Sequence, residues 1–474
     1  MLKIAIAGGG AAGLFASLLL ARSGHEVVVL EADGLDPAPD VESAAAAAFR
    51  PGAPQIPQPH IVMARCRELL RQRLPDVYAA LLGAGVAEAP LATQMPPSLA
   101  DKTARHGDER LTMLMTRRST VDWVLRRMAQ AEPRVTLLDR CRVTGLVASP
   151  GQPPHVTGVS TDHGDVMADV VADATGRRSP IDRWLREIGA KPAATWQAEC
   201  GVAYYSRHYR LRPGLKPPGP ALLRTVVGLD EFTVGIWPAD NDAMQLAVAP
   251  LAADHRFRTL KNPEAFTAVL RTVPFYAAWL DVLAPITGVF PMGGLNNTLR
   301  RLVREGSPVV TGLHAIGDVV CTTNPTLGRG LSLALGGAAD LHDIIERFGA
   351  DPAAQAVALD ELVGQHVAPF YEDQASIDYA RLTALRHTIF GAPAPATAPA
   401  ISARVTYAQL RAAAALDPVV FRAFWKIMGM QSLPEEIYTD PQVVTRTQAV
   451  LEHQQIRPPL AQPTREELLA ALAR

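Results

Sequence analysis

The first thirty residues constrain the fold of this chain more than any other stretch. An apolar run at residues 3–7 leads directly into the sequence GGGAAG at residues 8–13, and a stretch rich in leucine and alanine follows. A second apolar run, residues 26–30, ends at Glu31. This order predicts a strand, a glycine turn, a helix and a second strand closed by an acid, which is the fingerprint of a dinucleotide-binding βαβ unit.

Each glycine of the motif has a physical purpose in such a unit. Gly8 permits the sharp turn out of the strand, Gly10 lets the backbone approach a pyrophosphate, and Gly13 lets the helix pack closely on the sheet. The helix N-terminus offers N–H groups to the phosphates, and Glu31 is expected to accept hydrogen bonds from ribose hydroxyls. The predicted nucleotide contacts of this unit are Gly8, Gly10, Ala12, Gly13, Glu31 and Ala32. A tight strand–helix turn without a ligand is the alternative interpretation.

Composition excludes several classes of protein. The chain has 474 residues and a formal net charge of −1, which argues against binding to nucleic acid or to an anionic membrane. No stretch is apolar enough for a membrane span, and the lack of a secretory signal predicts a cytoplasmic protein. The four cysteines are scattered without a C-x-x-C spacing, so they predict buried thiols and no metal site.

The later segments divide into two patterns. Residues 195–290 carry short alternating segments between Pro- and Gly-rich turns, which predicts an antiparallel sheet. We therefore expect an α/β fold: a discontinuous Rossmann-like cofactor domain, an inserted α+β substrate domain with an antiparallel sheet, and a C-terminal helical region. The predicted boundaries are 1–90 with 116–190 and 291–350 for the cofactor domain, 91–115 with 191–290 for the substrate domain, and 351–474 for the helical region.

Two further motifs follow the first in a characteristic order. DATGRRSP begins at Asp173, and GDVVCTTNPTLGRG begins at Gly317. Together with GGGAAG they resemble the FAD-dependent monooxygenases of the p-hydroxybenzoate-hydroxylase-like superfamily, over about residues 1–350. The first motif alone is compatible with NAD or FAD, and the resemblance implies FAD.

The third motif matches the family pattern G-D-x6-P-x2-G-x-G. In that family the aspartate binds the ribityl chain of FAD, and the Pro-to-Gly turn passes beside the isoalloxazine. By resemblance these roles fall on Asp318, Pro325, Gly328 and Gly330. A helix predicted from Leu331 would point its N-terminus at the flavin, where negative charge develops on reduction. Arg118, at the start of another predicted helix, matches an arginine that these enzymes place against FAD.

The segment RPGAPQ…QPH…ELL…LPDVYAALLGAG, within residues 50–85, is similar to a subgroup of bacterial natural-product flavin epoxidases and hydroxylases. The resemblance implies a monooxygenase of secondary metabolism that inserts one oxygen atom into a largely apolar small molecule. The insertion is a hydroxylation or an epoxidation by way of a flavin C4a-hydroperoxide. The implied partners are the small-molecule substrate and molecular oxygen, and the sequence leaves the oligomeric state open.

Two departures from the family pattern bear on the reaction. The usual D-G-x-x-S-x-x-R motif reads DATGRRS here, which is more similar to epoxidases, halogenases and prenyl-chain reductases. Electrons therefore come either from NAD(P)H directly or through a partner flavin reductase. The second departure is the missing histidine that commonly follows the aspartate of the GD motif.

Three other functions stay open as alternatives. The first is a flavin oxidoreductase without oxygen insertion, of the dehydrogenase or prenyl-chain reductase type. A halogenase is less favoured, because the W-x-W-x-I-P motif is absent and no lysine lies between Lys3 and Lys102. A non-catalytic FAD-binding scaffold belongs to a different class.

No acid–base pair or triad stands out, as expected where a flavin carries the chemistry. Four residues are candidates for contacts with flavin or substrate, namely Arg50, His60, Tyr205 and Trp237, and Tyr204 and Phe232 of the same predicted sheet are further candidates for lining a pocket. Each also has an ordinary structural explanation. The arginine would be a solvated loop residue, the histidine a helix cap or core residue, and the aromatics core residues of the antiparallel sheet.

Overall fold

The computed structural model describes residues 1–35, 38–395, 403–453 and 460–474. Residues 396–402 and 454–459 of the predicted C-terminal helical region lie outside the described residues. The strands are β1 (Lys3–Ala7), β2 (Glu26–Leu30), β3 (Ile61–Val62), β4 (Ala87–Ala89), β5 (Met113–Met115), β6 (Val135–Leu138), β7 (Val143–Ser149), β8 (His155–Thr161), β9 (Gly164–Met167), β10 (Val170–Asp173), β11 (Ala194–Glu199), β12 (Tyr204–Leu211), β13 (Thr225–Gly228), β14 (Phe232–Pro238), β15 (Ala243–Pro250), β16 (Leu283–Pro285), β17 (Phe290–Met292), β18 (Asn296–Arg301), β19 (Val303–Arg304), β20 (Ser307–Pro308), β21 (Leu313–Ala315) and β22 (Cys321–Thr322).

The helices account for most of the remaining chain. They are α1 (Ala11–Arg22), α2 (Val41–Ala46), α3 (Ala64–Arg73), α4 (Pro75–Gly83), α5 (Arg118–Ala131), α6 (Ile181–Glu187), α7 (Pro263–Arg271), α8 (Pro274–Val282), α9 (Gly330–Phe348), α10 (Pro352–His366), α11 (Ala368–Phe390), α12 (Tyr407–Ala414), α13 (Pro418–Met428), α14 (Pro434–Tyr438), α15 (Pro441–His453) and α16 (Arg465–Leu472). Within the described ranges, no helix is both long and apolar enough to cross a membrane.

A five-stranded parallel sheet forms around the N-terminal strand, in the order β21-β10-β1-β2-β6. Strands β1 and β10 in the middle of the sheet are buried on both faces, which suits their valine, isoleucine and alanine side chains, whereas the edge strand β6 is partly exposed. Helices α1, α3, α4, α5 and α9 share one apolar core on one face. The hairpin β7–β8 and helix α6 contribute to a second core that includes Ala5 and Val171 of the sheet. The strands of this sheet come from chain segments some three hundred residues apart, as the predicted discontinuous cofactor domain requires.

The second large sheet is antiparallel, in the order β13-β14-β15-β12-β16, with β17 also paired to β12. Side chains alternate between its two faces, as they must on pleated strands. One face packs against α7 and α8 in an apolar core that α16 joins through Leu468 and Leu472. The opposite face of this sheet remains available to form a wall of the site described below.

The C-terminal helices pack against the rest of the molecule. Helix α13 contributes Phe421, Trp425 and Met428 to a core shared with Leu327 of the GD motif. Helix α11 passes behind the same motif, where Asp378 bonds Asn324. Helices α11 and α13 therefore contact and stabilise the GD motif. The domain boundaries given above stay a prediction.

Candidate functional site

A cleft of about 810 Å³ is lined by residues of both large sheets. The parallel sheet meets it at the carboxyl ends of its strands, through Gly8 after β1, Glu31 at the end of β2 and Ala174 after β10. Ligands of open parallel sheets bind at this edge. The cleft is therefore the candidate site.

The glycine turn has the geometry that its sequence predicts. Gly8 has a φ of +110°, and a Cβ there would lie 2.5 Å from the carbonyl oxygen of Ala174. A Cβ on Gly13 would lie 1.9 Å from the carbonyl oxygen of Gly8, so only glycine lets α1 approach the strand this closely. A Cβ on Gly10 would meet no atom of the described residues within 4 Å, and Gly10 lines the cleft. The open space at Gly10 is the cradle that a pyrophosphate would fill.

The DATGRRSP motif forms a turn beside this cradle. Asp173 is fully buried, and its carboxylate accepts hydrogen bonds from the Thr175 N–H at 2.9 Å, the Thr175 hydroxyl at 2.6 Å and the Ser179 hydroxyl at 2.5 Å. Burial raises the pKa of Asp173, and these hydrogen bonds oppose the rise. The turn they hold places Arg177 and Arg178 on the lining of the cleft.

The GD motif, residues 317–330, also lines the cleft and contacts the glycine turn. Gly317 has a φ of +61°, and a Cβ there would lie 2.7 Å from the Cβ of Ala12 in α1. The first and third motifs are therefore in direct contact. Gly328, in the left-handed conformation at φ +71°, ends the turn that begins at Pro325.

Two helix N-termini reach the same cleft. Helix α1 starts after Gly10 and helix α9 starts after Arg329, and neither start has a side-chain cap. Residues of both first turns, including Ala12 and Leu331, line the cleft. Uncapped N–H groups and the positive ends of two helix dipoles make this part of the cleft suited to an anionic group.

Glu31 and Arg50 form an ion pair at one end of the cleft. The Arg50 Nη2 lies 2.9 Å from the Glu31 Oε2, which also accepts a hydrogen bond from the Gly9 N–H at 2.8 Å. Arg50 approaches Asp33 as well, with 3.4 Å between Nε and Oδ2. The Nη1 of Arg50 is buried and has no hydrogen-bond partner among the described residues. The structure thus places Arg50 beside Glu31, directly after strand β2.

Asp318 and Arg118 also line the cleft. The Arg118 Nε donates to the Asp122 carboxylate at 2.7 Å, which fixes the guanidinium on the first turn of α5. The Asp318 carboxylate accepts no hydrogen bond from a described residue. Burial raises the pKa of Asp318, while the positive charges of Arg118 and Arg177 act in the opposite direction. A ligand with hydroxyl groups would supply the missing donors.

His60 lines the cleft, and three hydrogen bonds fix its position. Its main-chain N–H and C=O both bond the side-chain amide of Gln245, at 3.1 and 2.9 Å. Its Nδ1 lies 2.9 Å from the carbonyl oxygen of Gln58, so Nδ1 carries the proton and Nε2 is an acceptor. Burial and the nearby Arg118 lower the pKa of His60 to about 4. The imidazole is therefore neutral at physiological pH.

The wall opposite the cofactor motifs is one face of the antiparallel sheet. Tyr204 of β12, Trp237 of β14 and Ala247 of β15 line it, and the Trp237 ring lies over Gly235. The Tyr204 hydroxyl bonds the Asn324 side chain and the Thr326 hydroxyl, the latter at 2.8 Å. This wall is mainly apolar, with polar groups at its junction with the GD motif.

Most of the residues predicted from the sequence thus meet in one cleft. They are Gly8, Gly10, Ala12, Glu31, Ala32, Arg50, His60, Arg118, Trp237, Asp318, Pro325, Gly328 and Gly330. Gly13 lies behind the cradle and shapes it through packing. Tyr205 does not line the cleft: it is buried in the core on the other face of the sheet, because neighbouring residues on a strand point in opposite directions. Phe232 lies in the same core, whereas Tyr204, the other candidate on β12, lines the cleft.

Several residues that line the cleft were not predicted from the sequence. Arg224, Met292 and Ala249 have no local motif, and only the register of the sheet brings them to the cleft. The alternation along β14 and β15 is a signal that would have selected Ala247 and Ala249 together with Gly235, once one residue of that face was known.

No protein-family model matches the chain. Protein Rv3254 of Mycobacterium tuberculosis is 25% identical over 359 residues, which are 69% of this chain and 69% of that protein. Among solved structures, PqsL, a probable FAD-dependent monooxygenase from Pseudomonas aeruginosa, is 17% identical with a TM-score of 0.58. The match covers 82% of this chain and 98% of PqsL.

A second similar structure is the flavin-dependent brominase Bmp2. It is 16% identical with a TM-score of 0.64, and the match covers 96% of this chain and 100% of Bmp2. The chain has the fold of the flavin-dependent monooxygenases and halogenases. This flavoenzyme fold explains why three motifs far apart in the sequence converge on one cleft.

Proposed function

We propose that the protein is an FAD-dependent monooxygenase that inserts one oxygen atom, by hydroxylation or epoxidation, into a largely apolar small molecule. One observation carries the proposal. Two uncapped helix N-termini and the open face of Gly10 lie in the same cleft as an apolar wall formed by the antiparallel sheet. This combination suits a phosphate-bearing cofactor on one side and an apolar substrate on the other.

The residues present fit FAD in their chemistry. The N-termini of α1 and α9 would bind the pyrophosphate and the electron-rich end of the flavin, and Glu31 would accept from the ribose. The unpartnered Asp318 carboxylate would accept hydrogen bonds from the ribityl hydroxyls. The buried Nη1 of Arg50 would find an acceptor in the cofactor.

FAD supplies the electron transfer and oxygen activation, and the chain supplies the environment. The apolar wall around Trp237 and Ala247 excludes water and holds the substrate. Tyr204 donates to the Asn324–Thr326 turn and thereby fixes the edge of that wall. His60 offers a neutral acceptor, Nε2, on the same cleft.

The halogenase alternative has less support. The resemblance to halogenases would require an active-site lysine, and no lysine lines the cleft in the part of the chain that the structure describes. An oxidoreductase that does not insert oxygen would use the same cofactor site. An experiment is therefore required to distinguish that oxidoreductase from a monooxygenase. The electron donor, NAD(P)H or a separate flavin reductase, is also open to experiment.

The decisive experiment uses the purified holoprotein. We expect a yellow protein with one FAD per chain, and substrate-dependent oxygen uptake when NADPH, NADH or pre-reduced flavin is supplied. Under ¹⁸O₂, one labelled atom should enter the product. Product that forms without label would favour the oxidoreductase alternative, a requirement for bromide or chloride would favour the halogenase, and a protein that binds no FAD would overturn the cofactor assignment.

A further inference from the structure

Arg224 is a cation in the substrate half of the cleft without a charged partner. It directly precedes β13 and lines the cleft together with Val226, Thr233 and Trp237 of the antiparallel sheet. The described residues offer its guanidinium no ion pair and no hydrogen bond. Its main-chain N–H bonds Gln94, and its side chain lies over the ring of Trp425, 5.1 Å from the ring centroid.

Among the described residues, three other arginines of the cleft approach a carboxylate, in contrast to Arg224. Arg50 pairs with Glu31, Arg118 with Asp122 and Arg183 with Glu187. Two ionisable groups act on the Arg224 guanidinium, and neither is an anion at neutral pH. Arg411 is cationic and lowers the pKa of Arg224, whereas the Tyr407 hydroxyl is neutral because burial raises the pKa of Tyr407.

The positive charge extends behind Arg224. Arg381 donates to the carbonyl oxygens of Leu229 and Phe232, at 2.6 and 3.1 Å, and Arg411 donates to that of Val226 at 2.9 Å. These acceptors are neutral carbonyls at the edge of the same sheet. Burial is the main cause that lowers the pKa of Arg224 and of Arg381 to about 10 each, so both stay charged at neutral pH.

A partly buried cation without a counter-charge is costly unless a ligand supplies one. The apolar residues Trp237, Val226 and Ala249 line the same cleft, so the rest of that ligand is expected to be apolar. A planar guanidinium that is stacked on an indole keeps its N–H groups directed outward for bidentate binding of an oxyanion.

We propose that the substrate carries an anionic oxygen group, of the carboxylate or acidic enol type, on an apolar skeleton, and that Arg224 binds this group. This proposal rests on the proposed function only in treating the bound molecule as the substrate, because binding at Arg224 can be measured without catalytic turnover. Arg411 adds a second positive charge close to Arg224, and the ring of Trp425 packs against the Arg224 guanidinium.

The test is a binding measurement on the holoprotein with a matched pair of probes, 2-naphthoate and its neutral counterpart 2-naphthamide, by isothermal titration calorimetry. The wild-type protein should bind the anion more tightly than the amide. Arg224→Met should weaken naphthoate binding by about tenfold or more and leave naphthamide within about twofold, and Arg224→Lys should retain most of the preference.

The matched control is Arg271→Met, an arginine of the same sheet domain that pairs with Asp281 outside the cleft. It should leave both affinities unchanged. Equal affinities of the wild-type protein for the two probes, no measurable naphthoate binding, or an equal loss of both in Arg224→Met would overturn the proposal. Because calorimetry reads binding alone, a protein that fails the oxygen-insertion assay can still pass this test, and the two failures are distinguishable.

Discussion

Asp378 of α11 accepts a hydrogen bond from the Asn324 side chain at 2.8 Å, which joins the C-terminal helices to the turn that lines the cleft. The other oxygen of Asp378 accepts from Asn297 at 2.7 Å, and Gln374 donates to the first at 3.0 Å. Asn324 in turn bonds Tyr204 of the wall opposite the cofactor motifs. One buried carboxylate thus connects three segments that are distant in the sequence.

This network predicts a pH-dependent stability. Burial raises the pKa of Asp378 from 3.8 to about 6, so the folded state binds a proton more tightly than the unfolded state. The stability that Asp378 contributes is fully present below pH 4 and is lost as the pH rises through 6. Relative to Asp378→Asn, the free energy of unfolding of the wild type should fall by up to about 3 kcal/mol between pH 4 and pH 7.

Urea denaturation at several pH values measures this difference. The control is Asp281→Asn, since Asp281 is an exposed carboxylate. A difference between wild type and Asp378→Asn that stays constant with pH would contradict the assignment of the titration to Asp378.

Gly10→Val should remove the cofactor without unfolding the protein. Gly10 has φ −80° and ψ −179°, an extended conformation that valine adopts, and a Cβ there meets no atom within 4 Å in the part of the chain that the structure describes. The side chain would instead occupy the cradle, so we expect FAD affinity to fall by at least about a hundredfold. The flavin-to-protein absorbance ratio and the melting temperature of the apoprotein measure the two effects.

Gly13 provides the matched control, because a side chain there acts on packing. A Cβ on Gly13 would lie 1.9 Å from the Gly8 carbonyl oxygen, so Gly13→Ala should destabilise the apoprotein by about 1–3 kcal/mol. If Gly10→Val purified with full flavin, the pyrophosphate would lie elsewhere.

Asp318→Ala should weaken FAD retention more than it affects folding. The carboxylate faces the cleft and accepts no hydrogen bond from a described residue, so its removal breaks no bond within that part of the protein. Lost hydrogen bonds from the ribityl hydroxyls should raise the FAD dissociation constant by about tenfold or more. Flavin fluorescence on dilution measures this constant, and an unchanged value would refute the role of Asp318.

Asp240→Ala should destabilise the contact between the antiparallel sheet and the start of helix α5. Asp240 is fully buried and accepts hydrogen bonds from the Arg117 N–H at 2.6 Å, the Arg117 Nε at 2.9 Å and the Thr120 hydroxyl at 2.9 Å. Its loss leaves the buried Arg117 guanidinium with Glu42 alone, at a cost of about 3–5 kcal/mol. Thermal denaturation measures the change, and Asp281→Ala at an exposed carboxylate of the same domain should change it by less than about 0.5 kcal/mol.

The cofactor half of the site could be predicted because its geometry is local. Gly8, Gly10 and Gly13 act through the backbone of a single turn, and their spacing specifies that turn whatever surrounds it. The spacing of residues 325–330 likewise specifies local backbone geometry, because a turn that ends at Gly328 is followed at once by the start of α9. Alternation likewise indicated the antiparallel sheet.

The substrate half was decided by the tertiary structure. Tyr204 and Tyr205 are chemically identical neighbours, and only the register of β12 determines which of them faces the cleft. Arg224 and Asp378 belong to no motif, and their partners Trp425 and Asn324 are remote in the chain. The sequence alone determined the backbone that can cradle a nucleotide, since that depends on residues a few positions apart. The structure alone decided which side chains line the cleft opposite the cofactor motifs, since that depends on strand register and long-range packing.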